Sequence, residues 1–216
     1  MSKKYEIFLF DLDGTITDSA LGITNSVMYA LKKFGIEETD RTKLYKFIGP
    51  PLTESFEKFY GFTKEQSLDG VKYYREYYHD KGIYENRVYD GLEEVLKKIN
   101  EAGKQAIVAT SKPEKYAKTI IDHFHLTQYF ACVAGMEMDG GRGTKAQVIT
   151  YALEKNDITD KSNVLMIGDR EHDVIGAHEN GLDCLGILYG FGSRKEFEEA
   201  GADYIRENVE DILQFV

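Results

Sequence analysis

The sequence predicts an α/β fold: a parallel sheet covered on both faces, with a helical domain inserted after the first strand. Two observations carry this. Apolar strand-like runs at residues 7–10, 105–110, 131–134, 164–168 and 184–188 alternate with amphipathic helical patterns, which is the signature of parallel strands joined by crossover helices. The stretch from 16 to 84 breaks that alternation, with helical spacing but no convincing strand. The expected organisation is therefore a sheet domain of residues 1–15 plus 85–216 and a helical bundle of residues 16–84.

The elements follow in order. Ile7-Phe8-Leu9-Phe10 is a short continuous apolar run, as in a buried strand. In the insert, Ile23, Val27, Ala30, Leu31 and Phe34 share one helical face, and Gly35 ends it. Gly49-Pro50-Pro51 reads either as a helix-to-helix turn or as a rigid loop facing a substrate. Thr63-x-x-Gln66 has capping-box spacing and opens a helix carrying Leu68, Val71, Tyr74 and Tyr78. Its aromatic run, residues 73–78, reads as packing. The chain re-enters the sheet domain near residues 83–90. Helices are then expected to start at Asp90-Gly-Leu-Glu, Ser111-Lys-Pro-Glu, Thr144-Lys-Ala-Gln and Ser193-x-x-Glu196, with Ser111 as a cap. Their inward faces are Leu92, Val95, Leu96 and Ile99; Ala117, Ile120, Ile121 and Phe124; and Val148, Ile149, Ala152 and Leu153.

Bulk properties narrow the function classes. With 216 residues, 42% hydrophobic and 30% charged, the chain suits a globular protein with one full core and a smaller satellite. No apolar stretch approaches the ~18 residues of a membrane span, and residues 1–6 carry no apolar secretory region. A cytoplasmic protein is expected. Cys132 and Cys184, each among apolar neighbours, read as buried thiols. A net charge of -10 disfavours nucleic acid or an anionic membrane as partner. A small anionic substrate remains open, provided that its site is made positive by a metal, a lysine or helix N-termini. A monomer is the plain expectation.

The most informative segment is Phe10-Asp11-Leu12-Asp13-Gly14-Thr15. Two carboxylates within ~4 Å repel by roughly 4 kcal/mol at an effective dielectric near 20. Placing such a pair at a buried strand end calls for a cation or a retained proton. Gly14 allows a sharp turn and close backbone approach to a ligand. In an open parallel sheet, ligands bind beyond the carboxyl ends of the strands. Those ends carry Asp11 and Asp13, then Thr110, Ser111 and Lys112, then Asp169, Glu171 and Asp173, while Lys145 stands in the first turn of a helix.

This set fits phosphoryl transfer. Asp11 is the expected nucleophile and Asp13, two residues on, the expected acid/base. Thr110, Ser111, Lys145 and Gly14 are the expected phosphate-binding residues, with Lys145 adding a point charge near a helix N-terminus. Asp169, with the carboxylate of Asp11 and the carbonyl of Asp13, is expected to hold Mg²⁺, and Asp173 to orient that shell.

In these segments the chain resembles the haloacid dehalogenase-like superfamily. The matching motifs are Asp11-Leu12-Asp13-Gly14-Thr15, the Thr110-Ser111 pair after an apolar strand, Lys145, and Gly168-Asp169-Arg170-Glu171-His172-Asp173. The resemblance covers essentially the whole chain and implies a Rossmann-like core. The insert is similar to the mobile helical cap of the phosphoglycolate phosphatase-like subgroup, which implies closure over the site and choice of substrate. Residues 47–52, 108–114 and 168–174 resemble bacterial 5'-nucleotidase-like members. Ser111 stands where the phosphoglycolate phosphatase pattern has Asn, and Ala146 where Pro commonly follows the lysine. Neither change removes chemistry, and both weaken the case for phosphoglycolate.

The expected function is Mg²⁺-dependent hydrolysis of a small phosphorylated metabolite, a 5'-nucleotide or phosphoglycolate, through an aspartyl-phosphate on Asp11. The alternative is a phosphotransferase or phosphomutase using the same intermediate. A dehalogenase needs no acid at Asp13. A phospho-acceptor signalling domain would be shorter and would lack the insert. Other signals are weaker. Residues 140–143 read as a turn and not as a phosphate loop, because the Gly-x4-Gly-Lys-Ser/Thr spacing is absent. His123 and His125 lack acidic companions, and His172 reads as peripheral to the chemistry. Lys46, Arg75 and Tyr84 are candidate substrate contacts.

Overall fold

The structure, a computed structural model, describes residues 3–138 and 141–216. The chain forms two compact units, one from residues up to Thr17 and from Val88 onward, the other from Asp18–Arg87. These limits lie two to three residues from those expected. The chain crosses between the units through two short strands, β2 (Thr17–Asp18) and β3 (Arg87–Val88), which pair with each other.

The larger unit is a six-stranded parallel sheet. Its strands are β1 (Ile7–Phe10), β4 (Gln105–Pro113), β5 (Phe130–Met136), β6 (Val164–Gly168), β7 (Asp183–Ile187) and β8 (Tyr204–Arg206), in the order β5-β4-β1-β6-β7-β8. Side chains alternate between faces along each strand. Leu9, Ile107, Ala109, Met166 and Cys184 therefore share one buried layer with Val148, Ile149, Ala152 and Leu153 of α6 (Lys145–Lys155), Val174 and Ala177 of α7 (Glu171–Glu179) and Phe197 of α8 (Arg194–Ala200). Residues of the other parity, including Phe8, Phe10, Ala106 and Val108, are equally buried, toward α4 (Leu92–Glu101) and α5 (Glu114–His123).

Local chemistry explains several of the helix starts. Thr144 forms a full capping box with Gln147, and Ser193 accepts from the Glu196 N–H. Two expected caps are corrected. Ser111 lies inside β4, because that strand continues until Pro113 pairs with Met136, and α5 starts after Pro113. Asp90 is replaced at the start of α4 by Gly91, which sits in the left-handed region at φ +83°. The strand β8 was not expected, since three half-buried residues including Arg206 make no apolar run. Cys184 is buried and Cys132 only half-buried, and neither is in a disulfide. Of the expected turn at 140–143, Gly140 lies outside the described residues. No helix among the described residues is long and apolar enough to cross a membrane.

The smaller unit packs α1 (Ala20–Lys33), α2 (Leu52–Tyr60) and α3 (Lys64–Tyr77) with a 3₁₀ turn at Arg41–Phe47 and a π-helical turn at Tyr78–Gly82. The Thr63–Gln66 capping box starts α3. Phe56 stacks on Phe62 at 5.5 Å, and Tyr74 on Tyr78 at 5.3 Å. A Cβ on Gly22 would lie 1.9 Å from the Gly82 carbonyl oxygen, so α1 and the π-helical turn meet backbone to backbone. Leu68 departs from its expected inward place and is 58% exposed.

Candidate active site

Strand register assembles the site. Phe10 is level with Val108 of β4 and Ile167 of β6. One step further, Asp11 leaves the sheet between Ala109 and Gly168, and its N–H donates to the Ile167 carbonyl at 2.9 Å. Lys145, on the first turn of α6, reaches the same point. Its Nζ donates to Asp11 Oδ1 at 2.7 Å and to the Ala109 carbonyl at 3.0 Å, and it pairs with Asp173 Oδ1 at 2.8 Å. The lysine stem passes over Gly176 of α7, where a Cβ would stand 2.7 Å from Lys145 Cγ. Asp173 is thus in direct contact with Lys145, more intimate than the outlying place expected of it. Its Oδ2 also accepts from the Arg170 N–H at 3.1 Å.

Asp169 completes the cluster. It is fully buried, its Oδ2 accepts from the Phe191 N–H at 2.8 Å, and its Oδ1 has no hydrogen-bond partner among the described residues. Carboxylate oxygens of Asp11, Asp169 and Asp173 all lie within 4.8 Å of one another. Burial, then the charges of Asp11 and Asp173, push the Asp169 carboxyl well above the usual range. Burial raises Asp173 as well, against the opposing pull of Lys145. Burial alone would lower the Lys145 ammonium, but Asp11 and Asp173 reverse that and raise it. The lysine therefore stays charged.

Glycines make room for this density. Gly14 has φ +85°, and a Cβ there would fall 2.1 Å from Asp169 Oδ2 and 2.7 Å from the Phe191 ring. Its N–H donates to the Thr17 carbonyl at 2.7 Å, and its missing Cβ leaves room for Asp169. Gly190 and Gly192 abut Asp169 from the loop after β7; a Cβ on Gly192 would lie 2.0 Å from the Asp169 carbonyl oxygen. Sequence reasoning missed this loop. Its Gly-Phe-Gly pattern just after a strand end was the available signal.

Thr110 is buried at the end of β4, with its Oγ1 accepting from the Lys112 N–H at 3.2 Å, and Ser111 beside it is half-buried. Asp13 sits apart from the three-carboxylate cluster. Its Oδ2 pairs with Lys112 Nζ at 2.6 Å, while its buried Oδ1 has no hydrogen-bond partner among the described residues. Glu171, His172, His123 and His125 are exposed. In the smaller unit, Lys46 lies over the Phe59 ring at 4.4 Å and Arg75 is half-buried. Tyr84 lines a cavity of about 460 Å³ with Asp18, Leu21, Arg41, Tyr45 and Arg87.

Hard divalent cations take oxygen ligands, and three crowded carboxylates, with the buried Asp169 Oδ1 lacking a hydrogen-bond donor among the described residues, fit such an ion. The sequence matches the haloacid dehalogenase-like hydrolase family over residues 8–187. The chain belongs to this family. It is 45% identical to a 5'-nucleotidase of Pseudomonas aeruginosa, over 89% of this chain and 87% of that protein. It is 35% identical to tyrosine-protein kinase PtkA of Mycobacterium tuberculosis, over 87% of this chain and 63% of the kinase. A predicted phosphatase from Clostridium acetobutylicum has a crystal structure that superposes with a TM-score of 0.94, at 47% identity and 98% coverage of both chains.

Proposed function

We propose that this haloacid dehalogenase-like hydrolase is a Mg²⁺-dependent phosphatase that hydrolyses a small phosphate monoester through an aspartyl-phosphate on Asp11. The observation that carries the reading is Asp11 itself, buried, anchored by Lys145 at 2.7 Å and crowded by Asp169 and Asp173. A carboxylate oxygen of Asp11 attacks phosphorus as the ester P–O bond breaks, and Asp13 gives its proton to the leaving oxygen. Water then attacks the phosphorus of the aspartyl-phosphate and gives a proton to Asp13 as the bond between phosphorus and Asp11 breaks, so that phosphate leaves with Asp11 restored. Lys145 holds Asp11 in place and offsets charge, and Thr110 and Ser111 bind phosphate oxygens. Asp11, Asp169 and the Asp13 carbonyl would hold Mg²⁺, with the Asp173 carboxylate close by, and the ion would supply charge to neutralise the phosphoryl group.

Similarity to the 5'-nucleotidase of P. aeruginosa makes 5'-mononucleotides the first substrates to assay. We place the choice of leaving group in the helical unit, acting as a cap. The experiment is turnover of 4-nitrophenyl phosphate and of a 5'-mononucleotide with Mg²⁺. Asp11→Asn is expected to abolish both, and a purified variant that still turns over would refute the nucleophile assignment. The likeness to a protein named as a tyrosine kinase favours a second reading, transfer from Asp11 to a hydroxyl acceptor. Ester consumption without matching release of free phosphate would select it.

A further inference from the structure

We infer that Lys112 is a positioning residue that divides the labour between the two oxygens of Asp13, reserving Oδ1 for proton transfer; this rests on the acid/base role proposed for Asp13. Lys112 is 8% exposed, and burying an ammonium costs several kcal/mol unless it is paired. Its Nζ lies 2.6 Å from Asp13 Oδ2. The backbone is directed there at the end of β4, where the pairing register shifts between Thr110 and Pro113 and Thr110 Oγ1 accepts the Lys112 N–H. Asp13 Oδ1 is buried and makes no hydrogen bond among the described residues.

The consequence for the reaction is specific. With Oδ2 accepting from an ammonium, the acid form of Asp13 carries its proton on Oδ1. That proton passes to the leaving oxygen as the ester P–O bond breaks and its electron pair moves onto that oxygen. In the second step Oδ1 takes a proton from the attacking water as the bond between phosphorus and Asp11 breaks. Lys112 touches neither reacting bond; it fixes the carboxyl plane and the identity of the proton-carrying oxygen.

The test uses the full chain with Mg²⁺ and compares kcat/KM on two esters, because this quantity reports the first phosphoryl transfer. 4-Nitrophenyl phosphate expels a stable phenolate that needs little protonation, whereas an alkyl phosphate such as a 5'-mononucleotide expels an alkoxide that needs an acid. Lys112→Met is expected to lose about 100-fold on the alkyl ester and less than about 5-fold on the aryl ester. Lys112→Arg, which keeps a donor, is expected to recover most of the alkyl loss. Asp13→Asn should show the same bias toward the alkyl ester. Equal losses on both esters overturn the inference, since a phosphate contact or a purely structural lysine would act on both alike. If Lys112→Met fails to fold, Lys112→Gln, which also removes the ammonium, takes its place and the ratio of its two losses decides in the same way. An active Asp11→Asn would sink the proposed function, while an inactive Asp11→Asn with equal Lys112 losses would sink only this inference.

Discussion

Replacing Lys145 with Met isolates the charge balance of the cluster. The ammonium lies 2.7 Å from Asp11 and 2.8 Å from Asp173. At an effective dielectric near 20, each contact is worth about 6 kcal/mol of attraction. Against this stand three carboxylates with oxygens within 4.8 Å, each fully ionised pair repelling by about 3.5 kcal/mol or more. The lysine therefore roughly balances the acids and leaves little surplus. Removing it deletes both attractions and recovers part of the cost of burying an ammonium, so the net loss is that of breaking a buried pair, about 3–5 kcal/mol. For a chain of this size, each kcal/mol moves Tm by roughly 2–4 °C. Calorimetric melting in metal-free buffer should therefore place Lys145→Met about 6–20 °C below the parent. Added Mg²⁺ should return more of that deficit to the variant than it adds to the parent, because a divalent cation supplies the missing charge. A metal-free Tm within about 2 °C of the parent would refute the claim that Lys145 holds the carboxylates together.

Other expectations follow from the same geometry. Mg²⁺ at 100 times its Kd should stabilise the parent by about 2.7 kcal/mol, or roughly 5–11 °C in Tm; Asp169→Asn should abolish that rise, and a full rise in the variant would remove Asp169 from the metal site. Gly14→Ala must place a Cβ 2.1 Å from Asp169 Oδ2 at φ +85°, so calorimetric titration should show Mg²⁺ affinity about 10–100-fold weaker, and parental affinity would contradict the steric reading. Asp183 tests electrostatics far from the site. Burial opposes its ionisation, but the Tyr5 hydroxyl and the Lys3 ammonium outweigh burial and lower its pKa. A depressed carboxylate contributes stability above its unfolded pKa, near 3.9, and loses it as pH falls through the folded value. The Tm gap between the parent and Asp183→Asn should therefore be full at pH 7 and shrink below about pH 4; a gap that stays constant would show that the pairing is not the source.

The sheet and the location of the site were legible in the sequence because their causes are local or forced by register. The apolar runs at residues 7–10 and 164–168 match β1 and β6, and the Thr63 and Thr144 capping boxes form as their spacing indicates. Parallel pairing of β1 with β4 and β6 then brings Asp11 and Asp169 to one edge. What could not be read depends on distant partners. Ser111 has cap spacing to Glu114, yet Pro113 pairs with Met136 and draws Ser111 into the strand. Lys112 looks like any lysine after a strand until the shift in register sets it against Asp13. The Phe191 N–H reaches Asp169 only through a loop of tight glycines, and Asp173 meets Lys145 only through the contact between α6 and α7.

Gly176 gives that last contact a wider meaning. It carries no functional group, yet its missing Cβ is what leaves room for the Lys145 stem where α6 meets α7. The spacing of α6 and α7 is thus a ruler that sets how far a positive charge reaches. Drift in the interior, even by one methyl group at Gly176, would be read out at the Lys145–Asp11 contact as a change in length. In this protein the packing of two helices and the placing of one buried charge are a single variable.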